Sequence, residues 1–283
     1  MTSGGYTWRN ELRNSWFLRG CFLTTIAIMT LLGACMTPAG KFDRAAATMW
    51  LQREEVVGKG FRHVVYWQNG GSHQTLHVYL DGDGTPIIAG RPANDPTPRN
   101  PLMLRLLFLD PGPAVYVGRP CYHGPAATAG CSSDLWSTAR YSELVVSSLA
   151  AAIRGIMTER GYNRVSFFGH SGGGTLAMLL AERFPETRAI VTIAANLDID
   201  AWADHHDIPR LKASLNPALR PPIQESVVQF HYVGGRDQIV PPPLIKAAVK
   251  GANARLILID DYDHLCCWTE RWPAILSEVA SAE

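Results

Sequence analysis

Val165-Ser166-Phe167-Phe168-Gly169-His170-Ser171-Gly172-Gly173 is an apolar run that ends in a serine set between glycines. Its last five residues fit the pattern G-x-S-x-G, and a helical pattern, Thr175 to Phe184, follows. Strand, tight turn and helix in that order make a nucleophile elbow. A serine hydroxyl is a weak nucleophile until it is held out on such a turn beside a base. The flanking glycines carry no Cβ and are expected to relieve the turn. The helix that starts after the serine aims backbone N–H groups at the same point, where they stabilise a developing oxyanion. Ser171 is therefore the candidate nucleophile, and the Gly172 N–H a candidate oxyanion donor.

A nucleophilic serine needs a base and an acid, and both follow downstream. Val227 to Val233 is a β-rich run leading into Gly234-Gly235-Arg236-Asp237, so Asp237 stands in a glycine-rich turn at a strand end. Arg255 to Ile259 is a further strand-like run, followed by Asp260-Asp261-Tyr262-Asp263-His264. His264 is the candidate base, and Asp237 the acid that orients its imidazole. Asp198, after the strand ending at Ala194, is the alternative acid. His170 is expected to pack at the elbow. His63, His73, His77 and His231 lie on or near strand-like runs as structural histidines, and His205 and His206 occupy a polar loop.

Outward from the elbow, strand-like and helical stretches alternate. Strands are expected at His63–Trp67, Leu76–Leu80, Ala114–Val117, Arg164–Phe168 and Arg188–Ala194. Helices are expected at Pro101–Leu109, Tyr141–Arg160 and Trp268–Val279, with Gly161 a stop for the second. Alternation of this kind predicts an α/β fold, a doubly wound and mainly parallel sheet. Ligands bind such sheets beyond the carboxyl ends of the strands, where Ser171, Asp237 and His264 all fall.

These stretches resemble the α/β-hydrolase superfamily. Within it the chain is similar to a group of bacterial α/β-hydrolase lipoproteins. The likeness rests on Gly118-Arg119-Pro120-Cys121, Arg140-Tyr141-Ser142, Gly169 to Gly174, Asn196-Leu197-Asp198 with Trp202, and Ser214-Leu215-Asn216-Pro217. It extends to Gly234 to Asp237 with Val240-Pro241, and to Asp263 to Trp268. The resemblance implies a serine hydrolase domain over residues 61–283 with Ser171, Asp237 and His264 as triad, needing no metal or organic cofactor. It also implies an upstream oxyanion donor in the loop after the third strand. Asp81-Gly82-Asp83-Gly84 holds that place, with Asp81 where a histidine is usual, so the donor is Asp83 or Gly84. A cap is often inserted after the strand that ends here at Ala194, and residues 198–222 are expected to form a small lid or pocket wall. Ester, thioester and amide substrates stay open, as do a prolyl-oligopeptidase-like peptidase and a non-catalytic binding lipoprotein. A small-molecule or lipid-like acyl substrate is the expected partner.

At the start of the chain, Arg9, Arg13 and Arg19 precede an uncharged run, Cys21 to Leu32, and then Leu32-Gly33-Ala34-Cys35. A basic region, a short apolar region and small residues before a cysteine resemble a bacterial lipoprotein signal. The likeness implies removal of residues 1–34 and lipidation of Cys35. With Met36 rather than aspartate next, it implies an outer-membrane anchor facing the periplasm. Residues 35–60 are expected to be a tether with a short helical piece. Removing residues 1–34 takes away three arginines and one glutamate and moves the formal net charge from +1 to −1. That balance argues against nucleic acid as partner. The remaining four cysteines suit an oxidising compartment. Cys121 and Cys131 bracket a loop rich in small residues and are expected to pair. Cys266 and Cys267 are open to a vicinal bond, to thiols or to cross-pairing. A metal site from His264 and these cysteines lacks C-x-x-C spacing.

Overall fold

A computed structural model describes residues 36–68, 70–71, 74–124 and 128–282. The signal segment and Cys35, like His73, lie outside the described residues. From Pro38 onward the chain forms one unit around an eight-stranded sheet. In chain order its elements are α1 (Pro38–Thr48), β1 (Gln52–Val57), β2 (Arg62–Gln68), β3 (Thr75–Leu80), a two-stranded ribbon of β4 (Ile87–Ile88) and β5 (Arg91–Pro92), and α2 (Leu102–Phe108). There follow β6 (Ala114–Val117), α3 (Glu143–Arg160), β7 (Arg164–His170), α4 (Gly172–Ala181), β8 (Thr187–Ile193) and α5 (Ile199–His205). The last are β9 (Val228–Gly234), α6 (Pro242–Ala248), β10 (Ala254–Ile259) and α7 (Trp268–Ala280).

The strand order is β1-β2-β6-β3-β7-β8-β9-β10. β2 runs antiparallel to both its neighbours and every other pairing is parallel. The mainly parallel, doubly wound sheet expected from the sequence is the one observed. Its inner strands are near-continuous apolar runs because helices cover both faces. One layer packs Val145, Leu149, Ile153 and Ile156 of α3 with Leu176 and Leu180 of α4 against Val78, Val115 and Phe167. The opposite layer packs Leu104 and Leu107 of α2 with Trp268, Trp272 and Ile275 of α7 against Tyr79, Phe168 and Phe230. The spacing of Trp268, Trp272, Ile275 and Val279 puts all four on one helical face, and all are buried. α3 starts at the N-cap Ser142 and stops at Gly161, whose φ of 75° lies in the left-handed region that glycine tolerates.

The expected tether is a correction. Residues 38–57 belong to the domain. α1 buries Ala39, Phe42 and Ala46, with the Phe42 ring 5.5 Å from Tyr66 and 5.2 Å from Tyr116. β1 pairs along β2 as the edge of the sheet. No residue of β1 is buried, so an edge strand reading Gln-Arg-Glu-Glu-Val-Val carries no apolar alternation by which the sequence would announce it. The helix after the elbow is a second correction. It begins at Gly172 rather than Thr175 and ends at Ala181. Three successive glycines have poor helix propensity, but there is no room there for side chains. A Cβ on Gly173 would strike the Leu80 carbonyl, and one on Gly174 the side chain of Ala195.

Residues 198–222 form α5, a loop with Leu211 buried, and a 3-10 turn, Pro217–Leu219. Both ends are pinned. Asn216 Nδ2 donates to Asp198 Oδ1 at 2.8 Å and to Asp200 Oδ2 at 3.1 Å. Ser214 Oγ accepts from the Tyr141 N–H at 3.1 Å, and the Leu215 N–H donates to the Tyr141 carbonyl at 3.0 Å. The segment is fastened to the start of α3.

Candidate active site

Five adjacent parallel strands deliver their carboxyl ends to one edge of the sheet. The register pairs Leu80 with Gly169, His170 with Ile193, Ile193 with Tyr232, and Gly234 with Ile259. The loops after β3, β7, β8, β9 and β10 therefore emerge side by side, and they carry Asp83, Ser171, Asp198, Asp237 and His264.

Ser171 has φ 53° and ψ −124°, a conformation that a residue with a Cβ adopts only under strain. Hydrogen bonds hold it there. The Ser171 N–H donates to the Ile193 carbonyl at 2.9 Å, and the Ser171 carbonyl accepts from Gly174 at 3.0 Å and Asn196 at 3.3 Å. The glycines serve a different purpose from the one expected. None of residues 169, 172, 173 and 174 has positive φ; the strained residue is the serine itself. Gly169 is required because a side chain there would collide with the backbone of Gly173. The turn is thus a close crossing of β7 and α4, with the serine at its apex.

Asp237 and His264 meet as the sequence suggested. Asp237 Oδ2 accepts from His264 Nδ1 at 2.9 Å, and the Asp237 side chain is fully buried. Its other oxygen accepts the N–H groups of Ile239 and Val240, both at 2.8 Å. A neutral imidazole that donates from Nδ1 keeps its lone pair on Nε2, the tautomer a general base requires. His170 ties this pair to the elbow. Its Nε2 donates to the His264 carbonyl at 2.8 Å, and the two rings lie 4.8 Å apart. Burial, and then the nearby His264 charge, push the His170 pKa down to about 3, so it stays neutral. His170 is a brace for the loop that carries His264.

Asp198, the alternative acid, is occupied as the N-cap of α5. Its Oδ1 accepts from the N–H groups of Asp200 and Ala201 and from Asn216. Of the other histidines, His63 bonds the Gly118 carbonyl and Ser148 Oγ, His231 bonds Thr192 Oγ1, and His206 Nε2 donates to the Ile239 carbonyl.

The loop after β3 crosses directly over the elbow. A Cβ built on Gly82 would lie 3.3 Å from the Cβ of Ser171, whereas one on Gly84 would strike the Pro96 carbonyl. Of the two donor candidates, Asp83 adjoins the nucleophile and Gly84 packs away from it. The Gly82 N–H is taken by Asp81 Oδ1 at 2.9 Å. The Asp83 N–H bonds to none of the described residues. Gly172, first in its helix, likewise offers a free N–H. Asp81 is buried, and that burial pushes its carboxyl up to about 7 against the lowering pull of the Gly82 N–H and the Arg119 charge.

The sequence alone assigned no role to the residues that surround Asp83: Arg119, Arg140, Tyr141 and Tyr122. Two charged residues destined for burial, in Gly118-Arg119-Pro120 and Arg140-Tyr141-Ser142, were the available signal. Their partner lies 36 and 57 residues away in the chain, so no spacing rule connects them.

Cys121 and Cys131 are joined, with Cα atoms 5.7 Å apart, as expected. Cys266 and Cys267 form a vicinal bond just after His264. Among the described residues no group of three or more His, Cys, Asp or Glu is arranged to hold a metal ion, and no helix is long and apolar enough to cross a membrane.

No protein-family model matches the chain, and no curated protein matches it. Solved structures do. An esterase of Pyrococcus furiosus superposes with a TM-score of 0.58 at 13% identity, covering 82% of this chain and 90% of its own. A membrane phospholipase A, described as a bacterial virulence factor, gives 0.56 at 14% identity and covers 95% of this chain and 100% of its own. A serine hydrolase without lid from Xanthomonas campestris gives 0.52 at 11% identity, covering 82% and 93%. The chain has the α/β-hydrolase fold.

Proposed function

We propose that this protein is a serine hydrolase working by acyl transfer, a carboxylesterase or acyl hydrolase. The observation that carries the reading is the bond from His264 Nδ1 to the buried Asp237 carboxylate at 2.9 Å, on the strand-end edge that presents the strained Ser171. The similarity in fold to an esterase, a phospholipase and a serine hydrolase supports it.

The proposed mechanism uses these groups in turn. His264 Nε2 takes the hydroxyl proton of Ser171 as Oγ attacks the acyl carbon. The imidazolium that forms is stabilised by Asp237, whose charge is left for it because its other oxygen is held by two neutral N–H groups. The negative charge on the former carbonyl oxygen is met by the N–H of Gly172 at the helix start and the N–H of Asp83. His264 returns the proton to the leaving group, and the bond from carbonyl carbon to leaving group breaks. Water, deprotonated by His264, then attacks the acyl-enzyme, releasing the acid and restoring Ser171.

Location is part of the proposal. Lipidation at Cys35 after removal of residues 1–34 would anchor the enzyme to the bacterial envelope, with the Cys121–Cys131 bond fitting an oxidising compartment. Loss of radiolabelled palmitate from the Cys35→Ser protein tests the anchor, and equal incorporation in both proteins contradicts it. For the chemistry, purified protein is incubated with p-nitrophenyl esters of graded acyl length and with aminoacyl amides. Ester turnover that Ser171→Ala abolishes supports the reading. Turnover confined to amides favours a peptidase, and no turnover together with no fluorophosphonate labelling favours a binding protein.

A further inference from the structure

The carboxylate of Asp83 lies against Gly172. A Cβ on Gly172 would run into Asp83 Oδ1 and into the Tyr141 hydroxyl. A negative charge beside the place where an oxyanion must form opposes catalysis unless something neutralises it. Here it is neutralised twice. Arg119 Nη2 forms an ion pair with Oδ1 at 2.9 Å, Arg140 Nη1 donates to Oδ2 at 2.7 Å, and the Tyr141 hydroxyl bridges both oxygens at 2.6 and 2.7 Å. One carboxylate and two guanidiniums leave the cluster with a net positive charge. Burial alone would raise the Asp83 carboxyl, but the two arginines and Tyr141 overcome it and hold it at about 2, so the cluster is charged throughout the working range of an enzyme.

Each Asp83 oxygen already faces two donors, so a cationic group on a substrate would find no free acceptor. Arg119 is also closed to substrate. Its Nε and Nη1 are buried without a hydrogen-bond partner, and its guanidinium lies 5.4 and 5.7 Å from the ring centres of Tyr141 and Tyr122. Burying an arginine with two donor nitrogens unsatisfied is costly, and the aromatic faces recover only part of that. A site meant for ligand binding would expose those donors. This one leaves them buried, and the remaining nitrogen, Nη2, faces Asp83 and the Asp81 carbonyl.

The Asp83 carbonyl is fixed as well, accepting the Tyr122 hydroxyl at 3.0 Å. Carboxylate and carbonyl are both tied down, and the N–H is the one polar group of Asp83 left for the reacting centre. The clamp draws on three elements: the loop after β3, the loop after β6 (Arg119, Tyr122) and the start of α3 (Arg140, Tyr141). Tyr141 is anchored in turn by Ser214 and Leu215 of the 198–222 segment.

We propose that Arg119, Arg140 and Tyr141 are positioning residues that clamp the Asp83 carboxylate over Gly172 and thereby hold the Asp83 N–H at the oxyanion site. The proposal rests on the serine-hydrolase reading. Its test is the kinetics of labelling by a fluorophosphonate, whose phosphoryl oxygen takes up negative charge in the same hole. Full-length wild type is compared with Tyr141→Phe, Arg140→Lys, Arg140→Gln and Ser171→Ala, with the inactivation constant separated from the apparent affinity and Tm measured for each.

Displacing one donor by a fraction of an ångström is expected to lower the inactivation constant about tenfold in Tyr141→Phe and roughly a hundredfold in Arg140→Gln, with apparent affinity unchanged. Arg140→Lys keeps the charge and is expected to recover most of the loss. Tyr141→Phe keeps the buried ring and so separates the clamp from the fold. Weaker affinity at an unchanged inactivation constant would make these residues a substrate subsite and overturn the proposal. A lowered Tm with wild-type labelling would make them structural only. Ser171→Ala separates the two levels: if it is labelled as fast as wild type, the serine reading itself falls, whereas an unlabelled Ser171→Ala beside fully active clamp variants removes the clamp alone.

Discussion

Two carboxylates at this strand-end edge are held in opposite ways. Asp237, at the end of β9, takes two neutral backbone N–H groups on one oxygen and the His264 imidazole on the other. Asp83, after β3, takes two guanidiniums and a phenol. The first arrangement fixes the geometry yet leaves the charge unspent until the imidazole becomes an imidazolium. The second neutralises the charge permanently and turns the carboxylate into a peg. The same functional group is held by neutral partners at one position and by charged ones at the other, and only the first keeps its charge for a further partner.

The largest expected effect lies at the serine. Ser171→Ala should lower kcat by about 10⁴-fold or more, leaving what the oxyanion hole and binding supply. His264→Ala should cost nearly as much, and the double variant little more, because the two act as a unit. Steady-state kinetics on the best ester decide this, and near-wild-type turnover in either single variant contradicts the triad.

The comparison itself is broken or sharpened one step down. Asp237→Asn should cost about 10³- to 10⁴-fold in kcat, because an amide presents the imidazole with no charge and can enforce the wrong tautomer. The clamp variants should cost only about 10- to 100-fold, because they move a donor and remove none. Asp198→Asn should stay within a few-fold of wild type, since Asp198 caps a helix. Should Asp198→Asn fall further than Asp237→Asn with the fold intact, the acid is misassigned.

These differences mark what a sequence can carry. The elbow, the glycine-rich acid turn and the late histidine were legible because each is a local signature at a strand end. So was the sheet, whose buried strands are continuous apolar runs. The edge strand β1 was not, because its half-buried face sets Glu54 beside Val56 and so displays no apolar alternation, and residues 38–57 passed for a tether. The clamp was invisible for another reason. Arg119, Arg140 and Asp83 are ordinary charged residues until the fold brings three distant segments together.

Smaller effects belong to stability. His63, His123, His170 and His231 are buried, and desolvation lowers their pKa values to about 4, 3, 3 and 4. Because the folded state disfavours their charged forms, the stability they contribute is present above the unfolded value of about 6.5 and is lost as pH falls toward 4 and below. Asp81 has the opposite sign. Its pKa is raised to about 7, so its contribution is full below the ordinary carboxylate range and is lost as pH rises through 7. Thermal melts from pH 8 down to pH 4 should show Tm falling on the acid side, and a Tm flat or rising from pH 6.5 to pH 4 contradicts the burial of these histidines.

Replacing Cys121 and Cys131 together by serine should remove about 2–3 kcal/mol of stability, as expected for a short closed loop, with little change in kcat. Denaturant unfolding measures the first and ester turnover the second.

The central claim is that Ser171 is the nucleophile of an Asp237–His264 charge system. The most direct test is to react wild-type protein with a fluorophosphonate and locate the adduct by peptide mass spectrometry. The account predicts one adduct, on Ser171, lost in His264→Ala and strongly slowed in Asp237→Asn. An adduct on a different residue, or none at all on folded protein, would contradict it.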